Sequence, residues 1–447
     1  MTGPVDRRLA APQLPSSTGG ARAFRVLWTG QLFSLLGSSA AAFCLALTVY
    51  SETGDASALA LVVGASSLSM IYLAPLAGAV GDHFPRRHVV CLGNAVLSVV
   101  SLLLAWQVGQ FTAAEGDGFR TILLLVFLAG TAKAALSTTL SATVRELRAE
   151  RDLSRINGLT SLVETIPTVS GPVIGAALYT TVAPAAVFAF EAVTFALAGA
   201  LAATVRWPAA EHQGQDRRLR PFAGARRGFR FILAHPGFRT LQLVYAGVNF
   251  FAGLATAVVT VYVVTSSTAG TEEWNLAAFT VAGPVGLLLG ALVVLTVGGR
   301  GSRAAVIVTA LVLGALVGRL TPALVAVPVV WFVAQLVHQA GVQISNAHAT
   351  AVWQERTPRH LQATVFGARR LLGQGPFPLA VILGGVLADR FFQDGAALPE
   401  AAGAIVPRLA EDGGGPGLLL ALCALGQAAL ALLLAASPRV RETVRRP

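Results

Sequence analysis

Long apolar runs separated by short polar turns are the feature that most constrains the fold of this chain. A helix needs about 20 apolar residues to cross a bilayer, and roughly twelve runs approach or exceed that length. Hydrophobic residues make up 54% of the chain and charged residues only 12%, whereas soluble domains are about 25% charged. The runs lie at about 24–50, 57–81, 88–109, 119–143, 155–180, 185–205, 240–265, 274–298, 303–320, 323–350, 363–388 and 416–436. We therefore predict an all-α membrane protein with roughly twelve transmembrane helices.

The basic residues are distributed unevenly between alternate turns. If the N-terminus is cytoplasmic, arginines on the cytoplasmic side outnumber those on the other side by about seven to one. This bias predicts a multi-pass protein with both termini in the cytoplasm. The near-exclusive use of arginine with abundant alanine and glycine indicates a high-GC genome, and we expect a bacterial cytoplasmic membrane. The bias also accounts for the net charge of +11, so we expect the lipid bilayer as the surroundings and no nucleic-acid partner.

One long polar stretch, residues 206–239, divides the chain into two halves and contains the basic sequence EHQGQDRRLRPFAGARRGFRF. The predicted domains are a disordered cytoplasmic tail (1–21), an N-terminal six-helix bundle (22–205), a cytoplasmic basic linker (206–239), a C-terminal six-helix bundle (240–436) and a cytoplasmic tail (437–447). The linker from Phe222 to Arg239 is either an amphipathic helix with apolar side chains against lipid headgroups, or a simple tether.

A charged turn with the sequence GAVGDHFPRR joins the second and third runs. Asp82, Arg86 and Arg87 are costly in lipid, which predicts a tight loop at a membrane face, and Gly78 allows close packing at the helix end. The spacing resembles the loop between helices two and three of the major facilitator superfamily of secondary transporters, with Pro85 in place of a glycine. In that family the loop is thought to hold the two halves together on the cytoplasmic side. The resemblance therefore implies conformational gating by Gly78, Asp82, Arg86 and Arg87.

The fifth run contains SGPVIGA, which resembles the antiporter motif of the same superfamily. Gly171, Pro172 and Gly175 match the motif, and Ala176 replaces its last glycine. In that family the small residues allow tight packing between the halves, and the motif is associated with exporters. The segments FRVLWTGQLFSLLGSS and NAHATAVWQERTPRHLQATVFGARRLLG resemble the macrolide-efflux and enterobactin-exporter-like branch. The resemblance implies two pseudo-symmetric six-helix bundles and proton-coupled export of an amphipathic drug, siderophore or natural product by alternating access.

Four ionisable residues inside the runs are candidates for proton coupling: Lys133, Glu164, Glu191 and His338. Lys133, the only lysine, either modulates the proton affinity of a nearby carboxylate or pairs with one as a fixed cation. Glu164 is the leading candidate for the proton carrier, and a permanent pair with Lys133 is its alternative. Glu191 could instead reach towards the outer surface, and His338 could be a hydrogen-bonded packing residue.

Polar and aromatic side chains within the runs are candidates for a substrate cavity. They are Gln31, Phe33, Tyr245, Asn249, Gln335, Gln339 and Gln343. The three glutamines of the tenth run predict a polar stripe facing that cavity. The cysteines lack metal-ligand spacing, and nucleotide-binding and hydrolase motifs are missing from the sequence. We therefore expect no enzyme activity, no metal and no cofactor, with the proton gradient as the energy source.

Two other functions fit the same sequence. A proton symporter or facilitator that imports a small nutrient would share the fold. A transport-inactive sensor or scaffold would use the basic linker or the loop at 389–415 as a partner surface. That loop contains EDGGGPG, a composition that predicts flexibility. We expect a small amphipathic substrate as the main partner of a monomeric protein.

Overall fold

The computed structural model describes residues 17–73, 84–111, 116–147, 153–205, 207, 221–297, 302–358, 362–393 and 396–444. Within these ranges the chain forms helices and turns, and no β-strand. The N-terminal half contains α1 (Ser17–Thr53), α2 (Ala56–Tyr72), α3 (Arg86–Gly109), α4 (Gly116–Leu147), α5 (Leu153–Thr181) and α6 (Pro184–Thr204). Each of these helices coincides with one of the first six predicted runs.

The C-terminal half begins with a short helix and then repeats the pattern of long helices. Its elements are α7 (Pro221–Ala234), α8 (Pro236–Thr265), α9 (Glu272–Val297), α10 (Arg303–Ala315), a π-helical turn (Leu316–Leu320), α11 (Thr321–Leu324), α12 (Pro328–Arg356), α13 (Gln362–Gln374), α14 (Pro376–Phe391), α15 (Ala397–Gly403), a 3₁₀ turn (Pro407–Ala410), α16 (Gly414–Ala436) and α17 (Pro438–Val444). The run predicted at 363–388 is divided at Gly375, because Pro376 cannot donate a backbone hydrogen bond.

Nine helical stretches in the described part are long and apolar enough to cross a membrane, and α2 is a shorter apolar helix. Large apolar side chains on their outer surfaces are exposed, among them Leu124, Leu295 and Val329. Such surfaces are expected where lipid rather than water surrounds the helices. The all-α fold class is confirmed, while the number of twelve spans stays a prediction.

The two halves are packed together near one face of the molecule. We call the face where α1 begins and α16 ends the terminal face, and the face with the α1–α2 turn the opposite face. Buried clusters near the terminal face each lie within one half, around Trp28 in the first and Trp353 in the second. Near the opposite face one cluster combines both halves and includes Leu59, Ala60 and Val381. The described core therefore joins the halves at the opposite face.

The short helix α7 carries arginines on one side and apolar residues on the other. Arg226 and Arg230 are exposed, whereas Ile232 is fully buried. Phe238, at the start of α8, stacks on Trp353 with ring centroids 4.2 Å apart. The alternative that placed these apolar side chains against lipid headgroups is wrong for Ile232 and Phe238, because they pack into the buried core of the second half.

The described part of the loop after α14 is folded against the second half. Arg408 donates to Asp412 O and to Ser266 Oγ, each at 2.9 Å, and Leu409 is buried. Gly413 has a φ of 75°, a conformation that glycine adopts readily. The flexibility predicted from composition does not describe this segment, because these contacts give it defined packing.

Candidate functional site

A buried polar cluster in the N-terminal half contains two of the four predicted coupling residues. Glu191 on α6 is 3% exposed, and its Oε1 lies 3.5 Å from Lys133 Nζ on α4. Ser38 on α1 donates to the same oxygen at 2.7 Å, and Ser101 on α3 donates to Oε2 at 3.0 Å. Four helices therefore converge on one carboxylate, and both of its oxygens have donors.

Small residues allow these helices to approach closely enough for the cluster to form. A Cβ added to Gly37 on α1 would lie 2.8 Å from Thr194 Oγ1 and 3.3 Å from Glu191 Cα. Because this position is glycine, α1 can bring the neighbouring Ser38 against α6. On the other side of α6, Ser98 of α3 donates to Ala192 O at 2.9 Å. The site is thus part of the close packing of the first half.

The cluster has a closed side and an open side. The Lys133 side chain is 34% exposed, whereas that of Glu191 is 4% exposed. The Lys133 ammonium also lies 5.7 Å from the centroid of the Phe195 ring, a second favourable contact for a cation. If Glu191 were protonated, it would lose its ionic attraction to Lys133 and one oxygen would become a donor. The arrangement therefore places a partly exposed cation beside a buried carboxylate.

The structure changes the expectation for Glu191, whereas the expectations for Glu164 stay predictions. Glu191 does not reach towards an outer surface, because the hydroxyls of Ser38 and Ser101 satisfy it inside the bundle. The described carboxylate beside Lys133 is Glu191. Position 164 lies in α5, but its side chain is outside the described residues, so its role as the proton carrier stays a prediction.

His338 belongs to a second polar cluster, in the C-terminal half. Its Nδ1 donates to Gly314 O at 2.8 Å, since a carbonyl can only accept. Its Nε2 accepts from Arg319 Nε at 3.2 Å and lies 3.1 Å from Arg319 Nη2. Among the described residues no carboxylate forms an ion pair with Arg319. His338 is therefore held as a hydrogen-bonded link between a backbone carbonyl and a cation that the sequence analysis missed.

The residues that resemble the antiporter motif pack α5 against α1. A Cβ added to Gly175 would lie 3.0 Å from Ala40 O, and one added to Gly171 would collide with Ser39. Pro172, between them, is buried. These contacts of the two glycines lie within their own half. Ala176, at the last position of the motif, belongs to the buried cluster that combines both halves, and the role of the motif stays a prediction.

Four of the predicted cavity residues lie on α1 and α8. Asn249 Nδ2 donates to Tyr245 O at 2.8 Å, and Tyr245 Oη donates to Ser345 O on α12 at 3.0 Å. On α1, Phe33 is 47% exposed and Gln31 is half-buried. Tyr245 and Asn249 therefore lie together. Among the described residues, no hydrogen bond connects them to Gln31 or Phe33 on α1.

The glutamine stripe of α12 lies against α9. A Cβ added to Gly283 would lie 3.5 Å from Gln339 Nε2 and 3.6 Å from Gln335 Nε2, and one added to Gly290 would lie 2.9 Å from Gln343 Cβ. The prediction that Gln335 faces an open cavity is wrong. Gln335 is only 8% exposed, because α9 packs over it. Its Oε1 has no hydrogen-bond partner among the described residues.

Of the predicted gating residues, the structure describes the two arginines. Arg87 Nη2 donates to Ala203 O at 3.1 Å, which connects the start of α3 to the end of α6. Arg86 lies beside it at the start of α3. Gly78 and Asp82 lie outside the described residues. The gating role of all four residues stays a prediction.

A family comparison now decides the class of this helical protein. The profile of the Major Facilitator Superfamily matches residues 27–381, which is well over half of the chain. The chain belongs to the Major Facilitator Superfamily. It is 26% identical over 378 residues to the multidrug efflux pump Tap of Mycobacterium tuberculosis and of Mycobacterium bovis, an alignment that covers 82% of this chain and 87% of Tap.

Solved structures of the superfamily share the fold. A variant of the nucleoside transporter NupG superposes with a TM-score of 0.74 at 12% identity, covering 93% of this chain and 99% of NupG. A bacterial homologue of the iron transporter ferroportin, in an inward-facing state, gives a TM-score of 0.69 at 15% identity, with 95% and 99% covered. These identities show the fold alone. The predicted superfamily and its two-bundle membrane fold are confirmed.

Proposed function

We propose that this transporter exports an amphipathic drug, siderophore or natural product by alternating access, in exchange for protons that bind Glu191. The observation that carries the proposal is a buried carboxylate with Lys133, Ser38 and Ser101 as its partners. An ionisable side chain inside a membrane bundle is costly, and such residues commonly mark proton pathways.

Helix α1 provides a route from the carboxylate to the packing of the first half. Ser38 donates to Glu191, while the adjacent Ser39 lies against Gly171 of α5. A proton on Glu191 changes the donors that the carboxylate can accept and releases Lys133 towards the open side of the site. Because Ser38 and Ser39 are neighbours, that change biases the position of α1 relative to α5.

Export is the direction favoured by similarity. Tap is a multidrug efflux pump, and the aligned region covers most of both proteins. The SGPVIGA motif of α5 also resembles an exporter motif. We therefore propose efflux of amphipathic compounds as the work of this chain, with the substrate itself to be found by experiment.

Everted membrane vesicles with a respiration-driven pH gradient test the proposal. A panel of macrolides, lipophilic cations and catecholate siderophores is added, and collapse of the gradient is followed. We expect collapse that requires the protein, is lost in Glu191→Gln and is retained in Glu400→Gln, an exposed carboxylate on α15. Counterflow exchange of the active compound should persist in Glu191→Gln, which shows that the variant is folded.

Two outcomes would contradict parts of the proposal. Gradient collapse by Glu191→Gln would remove the proton role from this residue, and the same assay on Glu164→Gln would then test the other carboxylate. If no compound of the panel collapses the gradient, the proposed substrate class is wrong. Accumulation of nutrients by whole cells would then test the import alternative.

A further inference from the structure

Helices α2 and α14 belong to different halves and pack closely along their length. A Cβ added to Gly385 of α14 would lie 2.7 Å from Ser57 Cα and 2.9 Å from Ala56 O. Further along the pair, Tyr72 Oη donates to Gly375 O at 2.8 Å. The two helices therefore run antiparallel, with the start of α2 beside the end of α14 at the opposite face.

A carboxylate at this end of α14 binds the start of α2. Asp389 Oδ1 accepts from Ala56 N–H at 2.9 Å, and Oδ2 accepts from Ser57 N–H at 2.8 Å. The first N–H groups of a helix have no partner within the helix, and the helix dipole favours a negative charge there. Asp389 therefore caps α2 from the other half of the molecule.

The residue that would ordinarily cap α2 is present but unused. Asp55 occupies the N-cap position with φ −99° and ψ 126°, and its side chain makes no cap hydrogen bond. Aspartate is among the preferred N-cap residues, where its carboxylate accepts from the second or third N–H of the helix. The second N–H is that of Ser57, which already donates to Asp389. Asp389 from the other half thus holds one of the two N–H groups that Asp55 would use as an N-cap.

We propose that Asp389 locks the opposite face closed, and that Asp55 takes over the cap of α2 when the halves separate there. Opening must pull the end of α14 away from α2 and break both hydrogen bonds of Asp389. Without a replacement the N–H groups of Ala56 and Ser57 would be left unpaired, at a cost to the open state. As the N-cap residue, Asp55 can then accept from Ser57 N–H, the second of the helix, and so removes part of that cost. The exchange needs only alternating access, so it holds for export and import alike.

Distances between spin labels on the two halves test this exchange. Glu52→Cys and Glu400→Cys place labels on exposed positions at the opposite face, in full-length protein whose native Cys44, Cys91 and Cys423 are replaced by serine or alanine. We expect Asp389→Ala to lower the ratio of closed to open protein by about 3-fold to 30-fold, the range that corresponds to loss of a helix cap. Asp55→Ala, which removes the capping carboxylate, should shift the ratio in the other direction, towards closed protein. Arg390→Gln, an exposed neighbour, serves as the matched control.

Folding is checked separately by size-exclusion profile and helical circular dichroism of each variant. Asp389→Asn keeps one acceptor oxygen and should shift the ratio less than Asp389→Ala does. An unchanged distance distribution in a folded Asp389→Ala protein would overturn the lock. Opening of the opposite face by Asp55→Ala to the same extent would overturn the exchange, since that result would mean that Asp55 caps the closed state. An unchanged ratio in Asp55→Ala would overturn it as well, since Asp55 would then cap neither state.

Discussion

The two halves of this transporter each bury a polar cluster, but the clusters have different charges. In the first half, Lys133 contacts the carboxylate of Glu191. In the second half, Arg319 donates to His338, whose other nitrogen donates to Gly314 O. The second cluster therefore has a cation without a carboxylate among the described residues. The difference favours the first half as the place of proton exchange.

The surroundings of the two basic residues strengthen the comparison. Lysine can lose its proton when buried, whereas arginine stays charged. Lys133 lies at the open side of its cluster, and Arg319 lies on a π-helical turn that faces α12. Irregular π turns often occur at functional sites. Here the turn presents Arg319 to His338, so the second cluster connects the π-helical turn to α12.

The largest expected effect comes from removing the titratable group of each cluster in turn. We assume that one proton is exchanged per substrate and that the gradient is about two pH units. Each pH unit is worth about 1.4 kcal/mol, so coupling sustains a ratio of about 100-fold between the substrate concentrations inside and outside the vesicle. We expect Glu191→Gln to abolish this ratio in everted vesicles. His338→Gln should retain it, because glutamine can still accept from Arg319. The steady-state ratio is measured with a radiolabelled substrate.

If His338→Gln loses the substrate ratio and Glu191→Gln retains it, proton exchange belongs to the second half and not to the first. Loss in both variants would instead place a required titratable group in each half. Counterflow exchange, measured on the same vesicles, distinguishes either result from misfolding, since a misfolded carrier loses exchange as well.

A smaller effect is expected on stability when the cation of each cluster is removed. Lys133→Ala leaves Glu191 as a buried carboxylate without a cation, which costs about 3 to 5 kcal/mol for fully buried pairs. We expect about 2 kcal/mol here, because a third of the Lys133 side chain is exposed. Adding Glu191→Gln to Lys133→Ala should restore most of this loss. Arg319→Gln should change stability by no more than about 1 kcal/mol, since it strands no described carboxylate.

Thermal unfolding in detergent at neutral pH measures these changes, and a double-mutant cycle isolates the pair energy. Equal losses in Lys133→Ala and in the double variant would mean that Lys133 supports packing rather than the charge of Glu191.

The sequence could predict the helices and the candidate charges of this fold but not which side chains meet. A span needs about 20 apolar residues, so the runs mark the helices directly, and a charge inside a run is conspicuous because it is costly. The pairing of Lys133 with Glu191 depends on how α4 and α6 are rotated, which an almost wholly apolar helix does not specify. Serines are common in membrane helices, so Ser38 and Ser101 gave no signal. Arg319, in contrast, could have been found from the sequence, because it is a charge inside the apolar run at 303–320.

Contacts between distant segments were the hardest to predict. Asp389 and Ala56 are 333 residues apart, and only the packing of the two halves brings them together. The Gly385 contact with α2 belongs to the same interface. A glycine in an apolar run predicts close packing, but it does not identify the partner helix.

The smallest expected effect on the substrate ratio separates the two hydroxyls that bind Glu191. Ser38→Ala and Ser101→Ala each remove one hydrogen bond to a charged group, worth about 1.5 to 3 kcal/mol, so we expect similar losses of thermal stability. Their effects on coupling should differ, because Ser38 lies on α1 beside the α1–α5 contact while Ser101 lies on α3. Ser38→Ala should lower the steady-state substrate ratio several-fold, and Ser101→Ala should leave it nearly unchanged.

Ser170→Ala is the matched control for this pair, because the Ser170 hydroxyl donates to Ile166 O within its own helix. It should change neither the substrate ratio nor, by more than a few tenths of a kcal/mol, the stability. If Ser101→Ala lowers the ratio more than Ser38→Ala does, the connection from Glu191 through α1 is wrong. The proton on Glu191 would then act through α3, whose start is already bonded to the end of α6 by Arg87.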